Sequence, residues 1–331
     1  MEFIIADKQQ RDLAPLEEHA YLDLDIGKTN DFQVKINLQV YDKETYMPGN
    51  MIYCLGTEYG GIMDDPEVST SGNTISFTGD TFRGMLFKKY ILPPEGQAYK
   101  TISGELNSCI KELIGDQFGT DLFIFDDADT GVSVTDYQFD RYCSLYSGID
   151  KLLASVNHRL KIECVQAGDH FSVRLSAVPV IDHSDLIETS QDSNVNFTIT
   201  KYTNKYNYML CLGKGELTER TVIYLHLADD GSVEQVNEIP SGAEVKVYLY
   251  DYPNVESEED LIEAGKDKFK DINSTDTQKM TIPDGMNLEI GDIVGGRDYV
   301  TGMTISQEVT QKILKLQNKT LKISYTVGDG E

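Results

Sequence analysis

Histidines, cysteines and paired carboxylates are the residues from which a catalytic or metal-binding centre is built. In this chain of 331 residues their spacing builds none. His19, His158, His170, His183 and His226 stand far apart. They form no His-Glu-x-x-His, His-x-His or mixed Cys/His group, the patterns that bring several ligands to one zinc ion. The five cysteines, Cys54, Cys109, Cys143, Cys164 and Cys211, include no Cys-x-x-Cys pair. Cys109, Cys164 and Cys211 sit among apolar residues and read as buried thiols. An odd count without paired spacing predicts no disulfide and synthesis in a reducing compartment. Asp64-Asp65, Asp126-Asp127 and Asp229-Asp230 are adjacent in sequence, so in strands their side chains face opposite ways and make no acid/base dyad. No Gly-x-Ser-x-Gly elbow occurs. The expectation is therefore a chain without catalytic residues, cofactor-binding residues, metal ligands or cofactor.

Two glycine-rich stretches come closest to a ligand loop. Gly213-Lys214-Gly215 follows a strand-like run, but it lacks the third glycine of a dinucleotide loop and the Lys-Ser/Thr pair of a P-loop, so a turn is expected. Residues 291–298, GDIVGGRD, offer two carboxylates among three glycines. Their spacing matches no EF-hand loop, and a turn between strands is again the expectation. His226 lies in an apolar strand and reads as a packed or edge histidine; His183 follows Asp182 in a loop and reads as solvated.

The elements around these residues alternate between β-rich and α+β character. Phe3-Ile4-Ile5, the run from Tyr21 to Ile26, and Phe32, Val34, Ile36, Leu38 and Val40 have strand period. Met51 to Leu55 is an apolar run that Gly60-Gly61 is expected to end. After a turn at 69–73 and a strand from Thr74, Asp80 is expected to cap a helix whose stripe is Phe82, Met85, Leu86 and Tyr90, stopped by Pro93-Pro94. A second helix is predicted from Leu106, Cys109, Ile110, Leu113 and Ile114, with Gly115 just past its end. A turn is expected at Asp129-Thr130-Gly131. Ser147 and Asp150 have capping-box spacing before Ile149, Leu152, Leu153 and Val156. Ile162 to Leu175 reads as a hairpin turning at Gly168-Asp169. Strands follow at 206–212, 222–227 and 244–250, with a hairpin turn at Asp229-Asp230-Gly231. Ser257 then caps a helix over 257–270 with acids in its first turn and lysines in its last, which complements the helix dipole. Strands are expected at 286–290, 292–294, 303–305, 313–316 and 321–327, the last pair joined at Asn318-Lys319.

The net charge is −26, from 29 basic and 55 acidic residues. Such a surface excludes a protein that grips nucleic acid through its phosphates, and it excludes binding to anionic membranes. The N-terminus carries no basic, apolar signal sequence, and no run is long enough to span a membrane.

Four segments, in order, resemble the baseplate or tail-tip hub family of tailed bacteriophages, in the branch found in siphophages and prophages of Gram-positive bacteria. They are TGDTFRGMLFKKYILPP, CLGKGELTERTVIYLHLADDGSV, VYLYDYPNVESEEDLIEAGKDKFKD and NLEIGDIVGGRDYVTGMTISQEVTQKILKLQNKTLKISYTVG. One departure is that the family's turn often carries Gly-Arg before the helix, where this chain has Gly79-Asp80 and then Arg83.

The resemblance implies a mainly β fold with α+β insertions: two tail-tube-like β-barrels, each with a flanking helix, and an α+β domain between them. The corresponding domains are 1–95, a first barrel; 96–185, the α+β domain; and 186–331, a second barrel with helix 257–270 and the C-terminal strands. It implies a non-enzymatic structural subunit of the virion. A homotrimer would form a ring that adapts sixfold to threefold symmetry around the DNA channel and serves virion assembly and genome ejection. The implied partners are the distal tail or tube protein, the tape-measure protein and tip or receptor-binding proteins, with DNA only passing through the lumen. Synthesis is expected in the host bacterial cytoplasm. An acidic lumen would repel phosphates and let DNA slide. The chain ends at Glu331 soon after its last expected strand, so a wall-degrading domain is not expected within it. The alternatives are the hub of a phage-like injection particle (a tailocin) and a carbohydrate-binding β-protein, which the lack of Trp and of a signal sequence disfavours.

Overall fold

The structure is a computed structural model and describes residues 1–118, 122–184, 196–200, 206–228, 231–273, 277–281, 286–297 and 304–328. It is mainly β, and its contacts divide it into two compact units, 1–196 with 280–331, and 197–279. The N-terminal part of the first unit runs β1 (Phe3–Ala6), β2 (Asp12–Pro15), β3 (Tyr21–Ile26), β4 (Asp31–Asn37), β5 (Met51–Cys54), β6 (Gly60–Ile62), β7 (Asp64–Ser69), β8 (Thr74–Asp80) and α1 (Phe82–Phe87). The middle part is β9 (Thr101–Glu105), α2 (Leu106–Phe118), β10 (Phe123–Phe125), β11 (Ser133–Gln138), α3 (Leu145–Ala154), β12 (His158–Ala167) and β13 (His170–Pro179). Then come β14 (Asn196–Thr200), β15 (Tyr208–Leu212), β16 (Val222–Leu227), β17 (Val233–Val236), β18 (Val247–Asp251), α4 (Glu258–Asn273) and β19 (Thr277–Thr281), the last pairing with β14. The chain closes with β20 (Ile293–Arg297), β21 (Thr304–Gln317) and β22 (Thr320–Val327).

Strict alternation decides the main sheet. Leu22, Leu24 and Ile26 of β3 and Phe32, Val34 and Ile36 of β4 are all buried, while the residues between them are not. Burying one face this way forbids a one-residue slip, which would turn every apolar side chain to water. The resulting antiparallel sheet has the order β20-β21-β3-β4-β8-β7, with β22 also on β21. The C-terminal strands expected to group with helix 257–270 therefore join this sheet, β21 pairing with β3 and carrying β20 and β22, because Leu314 alternates onto the same buried face. A second sheet, β2-β1-β5-β6, lies in the same unit. Neither sheet closes on itself among the described residues. β7 ends one of them with the sequence DDPEVS, whose proline lacks the N–H a further strand would need and whose acids discourage pairing.

Several boundaries differ from the sequence expectation. Gly60-Gly61 does not end β5 but forms β6, because the backbones cross too closely there for a side chain; a Cβ on Gly61 would lie 2.1 Å from the Asp80 carbonyl oxygen. Gly79 is equally constrained, 1.8 Å from the Ile62 carbonyl oxygen. α1 is capped by Thr81, whose Oγ1 accepts from the Gly84 N–H at 3.1 Å, and Asp80 instead pairs with Lys88 at 2.7 Å. Phe82 and Leu86 are buried and Met85 is half-buried, but the helix ends before Tyr90, which is exposed. α2 runs through Gly115, whose φ is not positive, so that residue is no cap. α3 starts at Leu145, because Ser144 accepts from the Ser147 N–H and takes the capping role expected of Ser147. Residues 286–290 are not a strand; they enter a turn in which Asp292 N–H donates to the Glu289 carbonyl and Gly291 takes φ +90°. The turn expected at 229–231 lies partly outside the described residues.

The hairpin β12–β13 forms as expected, turning at Gly168-Asp169. With parallel β10 it makes a three-stranded sheet under α2 and α3. In the second unit β17-β16-β15-β18 is one sheet, and Leu261, Gly265 and Phe269 of α4 pack on its Met209, Cys211, Ile223 and Leu225 face. Ser257 caps α4 as expected, accepting from the Asp260 N–H at 3.1 Å.

Candidate functional site

The first unit's most unusual chemistry is a buried charge cluster that no motif announces. β5 leads into a tight turn, closed by a Cys54 N–H to Tyr59 carbonyl bond of 2.9 Å. Its tip is held against β12 by the Gly56 N–H on the Cys164 carbonyl and the Cys164 N–H on the Thr57 carbonyl, at 2.8 and 2.7 Å. This aims Glu58 into the protein. The Thr81 cap sets the first turn of α1 so that Arg83 enters the same space. Lys312 comes from β21, two residues before buried Leu314 on the same pleat. Glu58, Arg83 and Lys312 are 5%, 3% and 2% exposed, which makes this an interior cluster.

The geometry joins all three. Arg83 donates from Nε and Nη2 to Glu58 Oε2 at 3.1 and 2.7 Å, and from Nη1 to the Tyr146 hydroxyl at 2.6 Å. Tyr146 on α3 in turn donates to Asp150 at 3.5 Å. Lys312 Nζ stands 3.4 Å from Glu58 Oε1 and donates to Glu289 at 2.8 Å. It also sits 5.0 Å from the centre of the Tyr59 ring, a cation–π contact. One network thus links the β5–β6 turn, α1, α3 and β21. Beside it Arg159 of β12 donates from Nε to Asp292 at 2.7 Å, and Asp292 Oδ2 caps the turn by accepting from the Glu289 N–H at 3.0 Å. His183 stands 3.5 Å from the same carboxylate, so it is packed rather than solvated.

Burial and charge fix the protonation states. Burial works against ionisation of Glu58, but Arg83 and Lys312 outweigh it and hold the carboxyl below its ordinary range. Burial likewise opposes the charge on Lys312, and Glu58 and Glu289 overcome it, so its pKa is raised. Arg83 is raised in the same way by Glu58 and Tyr146. Burial pushes the Tyr146 hydroxyl up to about 12. Burial also raises Asp150, and Arg83 only partly offsets it. A Glu held ionised is no general acid, and a Lys held protonated is no nucleophile at neutral pH. The cluster's chemistry is cohesion. A half-open cleft of about 670 Å³ lies at its edge, lined by Glu58, Tyr59, Glu289 and Lys312 and walled by Leu321 and Ile323 of β22.

The residues weighed from sequence fall elsewhere. The histidines lie on separate elements: His158 contacts the Val156 carbonyl oxygen at 2.7 Å, His170 pairs with Asp169, and His226 packs on the Tyr208 ring. All five cysteines carry free thiols, and burial raises the pKa of each. Gly213-Lys214-Gly215 is a turn, tied by the Gly213 N–H on the Thr221 carbonyl at 2.8 Å and the Thr221 N–H on the Lys214 carbonyl at 2.9 Å. In GDIVGGRD, the turn ends at Asp292 and β20 follows at once; Asp298 lies outside the described residues. Among the described residues, no group of three or more His, Cys, Asp or Glu side chains is placed to hold a metal ion. No helix among them is long and apolar enough to cross a membrane.

No family model matches the chain, and no curated protein matches it. Solved structures do. A prophage MuSo2 tail protein of Shewanella oneidensis is 12% identical with a TM-score of 0.49, over 99% of this chain and 98% of its own. A prophage tail protein of Listeria monocytogenes is 12% identical with a TM-score of 0.47, over 99% and 94%. A chain of the p2 virion baseplate in its activated conformation is 11% identical with a TM-score of 0.47, over the full length of both. These three are tail or baseplate proteins of phages and prophages, and a chain of the Francisella PdpA-VgrG complex also matches, 14% identical with a TM-score of 0.41, over 98% of this chain and 57% of its own.

Proposed function

We propose that the chain is a non-enzymatic structural subunit of the tail-tip or baseplate hub of a tailed phage or prophage. In this reading it assembles as a homotrimer in the virion. Two tube-like domains per chain, the first built from 1–95 together with the C-terminal strands β20, β21 and β22 and the second from the β15–β18 sheet with α4, give a pseudo-sixfold ring. That ring meets the distal tail or tube protein on one side and threefold tip proteins on the other. The tape-measure protein and the DNA occupy its channel.

The observation that carries the reading is how the hub-like segments come together. The first of them supplies the end of β8 and all of α1, and the last supplies β20, β21 and β22. They join in one sheet through β3 and β4, and Arg83 and Lys312 close on the same Glu58 carboxylate. Segments recognised at opposite ends of the sequence thus form a single structural unit. The net charge of −26 supports the same reading, since an acidic wall repels DNA phosphates and lets the duplex move.

The test is the mass of the purified chain in solution, alone and mixed with the tail-tube protein of the same particle, together with negative-stain images. A threefold ring with a central pore is expected. A chain that stays monomeric in both conditions overturns the proposal, and so does a ring whose lumen is lined mainly by Lys and Arg.

A further inference from the structure

Two sheet edges, β7 and β18, are treated in opposite ways. β7 ends the large sheet of the first unit with Asp64, Asp65, Pro66 and Glu67, and these residues discourage a further strand. β18 ends the sheet of the second unit with Val247-Tyr248-Leu249-Tyr250-Asp251, which has no proline and no charge before its last residue. Natural proteins blunt edges of this kind unless something pairs with them.

The hydrogen bonds show which groups of β18 are free to pair. The Tyr208 N–H donates to the Lys246 carbonyl at 3.1 Å, and the Tyr252 N–H donates to the Leu212 carbonyl at 2.8 Å. The even-numbered residues therefore face β15, since along a strand alternate residues direct their N–H and C=O to the same side. Val247, Leu249 and Asp251 direct theirs to the open side. Val247 and Leu249 are 42% and 56% exposed, and their side chains leave the sheet on the face opposite α4. In register with them on that face stand Tyr208 and Leu210, and beyond those His226 and Tyr224. A pairing edge and an apolar, aromatic face thus meet at one strand.

We propose that β18 is a strand-addition site for an extended segment of another protein. Its main chain would bond to Val247, Leu249 and Asp251. Its alternate apolar side chains would lie over Leu249 and the tyrosines, and its flanks would be basic. Charge selects that partner over a second copy of this chain. Asp251 is already paired with Arg220, but Glu256, Glu258, Glu259 and Asp260 follow the strand, in a chain whose net charge is −26. A copy would bring like charges together, whereas Lys or Arg flanks complement them.

The test uses the full chain and a synthetic probe, an alternating Val-Thr peptide with two lysines at each end, followed by fluorescence anisotropy. Three comparisons accompany it: the same peptide with glutamate ends, the same peptide N-methylated along one edge, and the Leu249→Lys chain. Saturable binding is expected. Each of the three changes should weaken it by about tenfold or more, the effect of about 1.4 kcal/mol. N-methylation alters only the probe, so its result does not depend on the variant folding. Equal binding of the N-methylated peptide overturns the proposal, because contact would then be apolar adsorption. Absence of saturable binding also overturns it. So does self-association of the chain that Leu249→Lys abolishes, because a second copy would then be the occupant.

Discussion

Replacing Glu58 by Gln should cost far more stability than replacing Lys312 by Met, although each removes one charge from the same cluster. Glu58 is held between Arg83, at 2.7 Å, and Lys312, at 3.4 Å. With an effective dielectric of about 20 these attractions are each on the order of 5–6 kcal/mol before desolvation is subtracted. Glu58→Gln removes both and leaves two buried cations facing each other, and stranding buried charge in this way costs about 3–5 kcal/mol. Lys312→Met keeps the Arg83–Glu58 pair intact and leaves Glu289, whose side chain is 35% exposed, to water. It should cost no more than about 1–2 kcal/mol, because the lost attraction is offset by the relief of burying an ammonium. For a unit of this size about 2–4 °C accompanies each kcal/mol. Scanning calorimetry should then show the transition of the first unit falling by roughly 6–20 °C for Glu58→Gln and by a few degrees for Lys312→Met. The pH dependence sharpens the contrast. In the native chain Lys312 has a raised pKa, so its contribution is full below the ordinary lysine value of about 10.4 and is lost as pH rises through the folded value. Without Glu58 only Glu289, at 2.8 Å, is left to oppose burial and the facing Arg83, so the penalty of Glu58→Gln should shrink as the pH is raised from 7 to 9.5 and Lys312 more readily sheds its proton. Equal losses for the two variants, or a Glu58→Gln penalty unmoved by pH, would refute the view that charge balance at Glu58 holds these elements together.

Three other substitutions probe the surrounding elements. Leu86→Ala, at a fully buried position of α1, should destabilise the first unit by about 2–5 kcal/mol in urea unfolding. Met85→Asp should cost less than a core charge would, because Met85 is only half-buried. Ser144→Ala should cost about 0.5–2 kcal/mol by removing the acceptor for the Ser147 N–H at the start of α3, and Ser147→Ala should cost less, which urea midpoints will separate. Asp150→Asn should stabilise the chain at pH 7. Burial raises the Asp150 pKa, so the folded state is penalised as pH rises through the ordinary aspartate range near 4 and up to the folded value. Thermal melts should show that gain fading below about pH 4.

What the sequence disclosed and what it hid follow from the range of the interactions. Strand period in β3 and β4 is local, because each buried side chain announces itself two residues later; β3 formed where the alternation places it, whereas β4 ends at Asn37, and Leu38 and Val40, expected to continue it, lie in a turn. Ser257 could be read as a cap for the same reason. Tertiary packing overruled local signals elsewhere. Gly60-Gly61 looked like the end of the preceding run and became a strand, because β8 passes too close for side chains. Asp80 looked like a cap, but Thr81 had the position from which a hydroxyl reaches the Gly84 N–H. Glu58 carried no signal at all, since its partners lie 25 and more residues away in sequence. Lys312 did carry one. It stands two residues before Leu314 in an alternating strand, on the face that must be buried, and a lysine there requires an interior anion.

The buried cluster also bears on how such a chain assembles without mispairing. Sheets with open edges invite pairing with the wrong strand, and the large sheet here draws strands from both ends of the sequence. An apolar core alone specifies that register loosely, since β21 could slide by two residues and still present apolar side chains. Sliding by two would move Lys312 away from Glu58 and bring Leu314 or Thr310 opposite the carboxylate, leaving Glu58 and Arg83 without the second cation's balance. The cost of that mismatch, on the order of the 3–5 kcal/mol of a broken buried pair, falls on the misregistered state and not on the native one. The cluster would thus add specificity even where it adds little net stability, as a single buried polar residue fixes register in coiled coils. A chain in which Glu58, Arg83 and Lys312 are all replaced by apolar residues of similar size should then melt near or above the native temperature. It should nevertheless show more than one arrangement of β21 against β3, visible as doubled amide resonances for residues 312–316. A single set of resonances in that variant would show that packing alone sets the register.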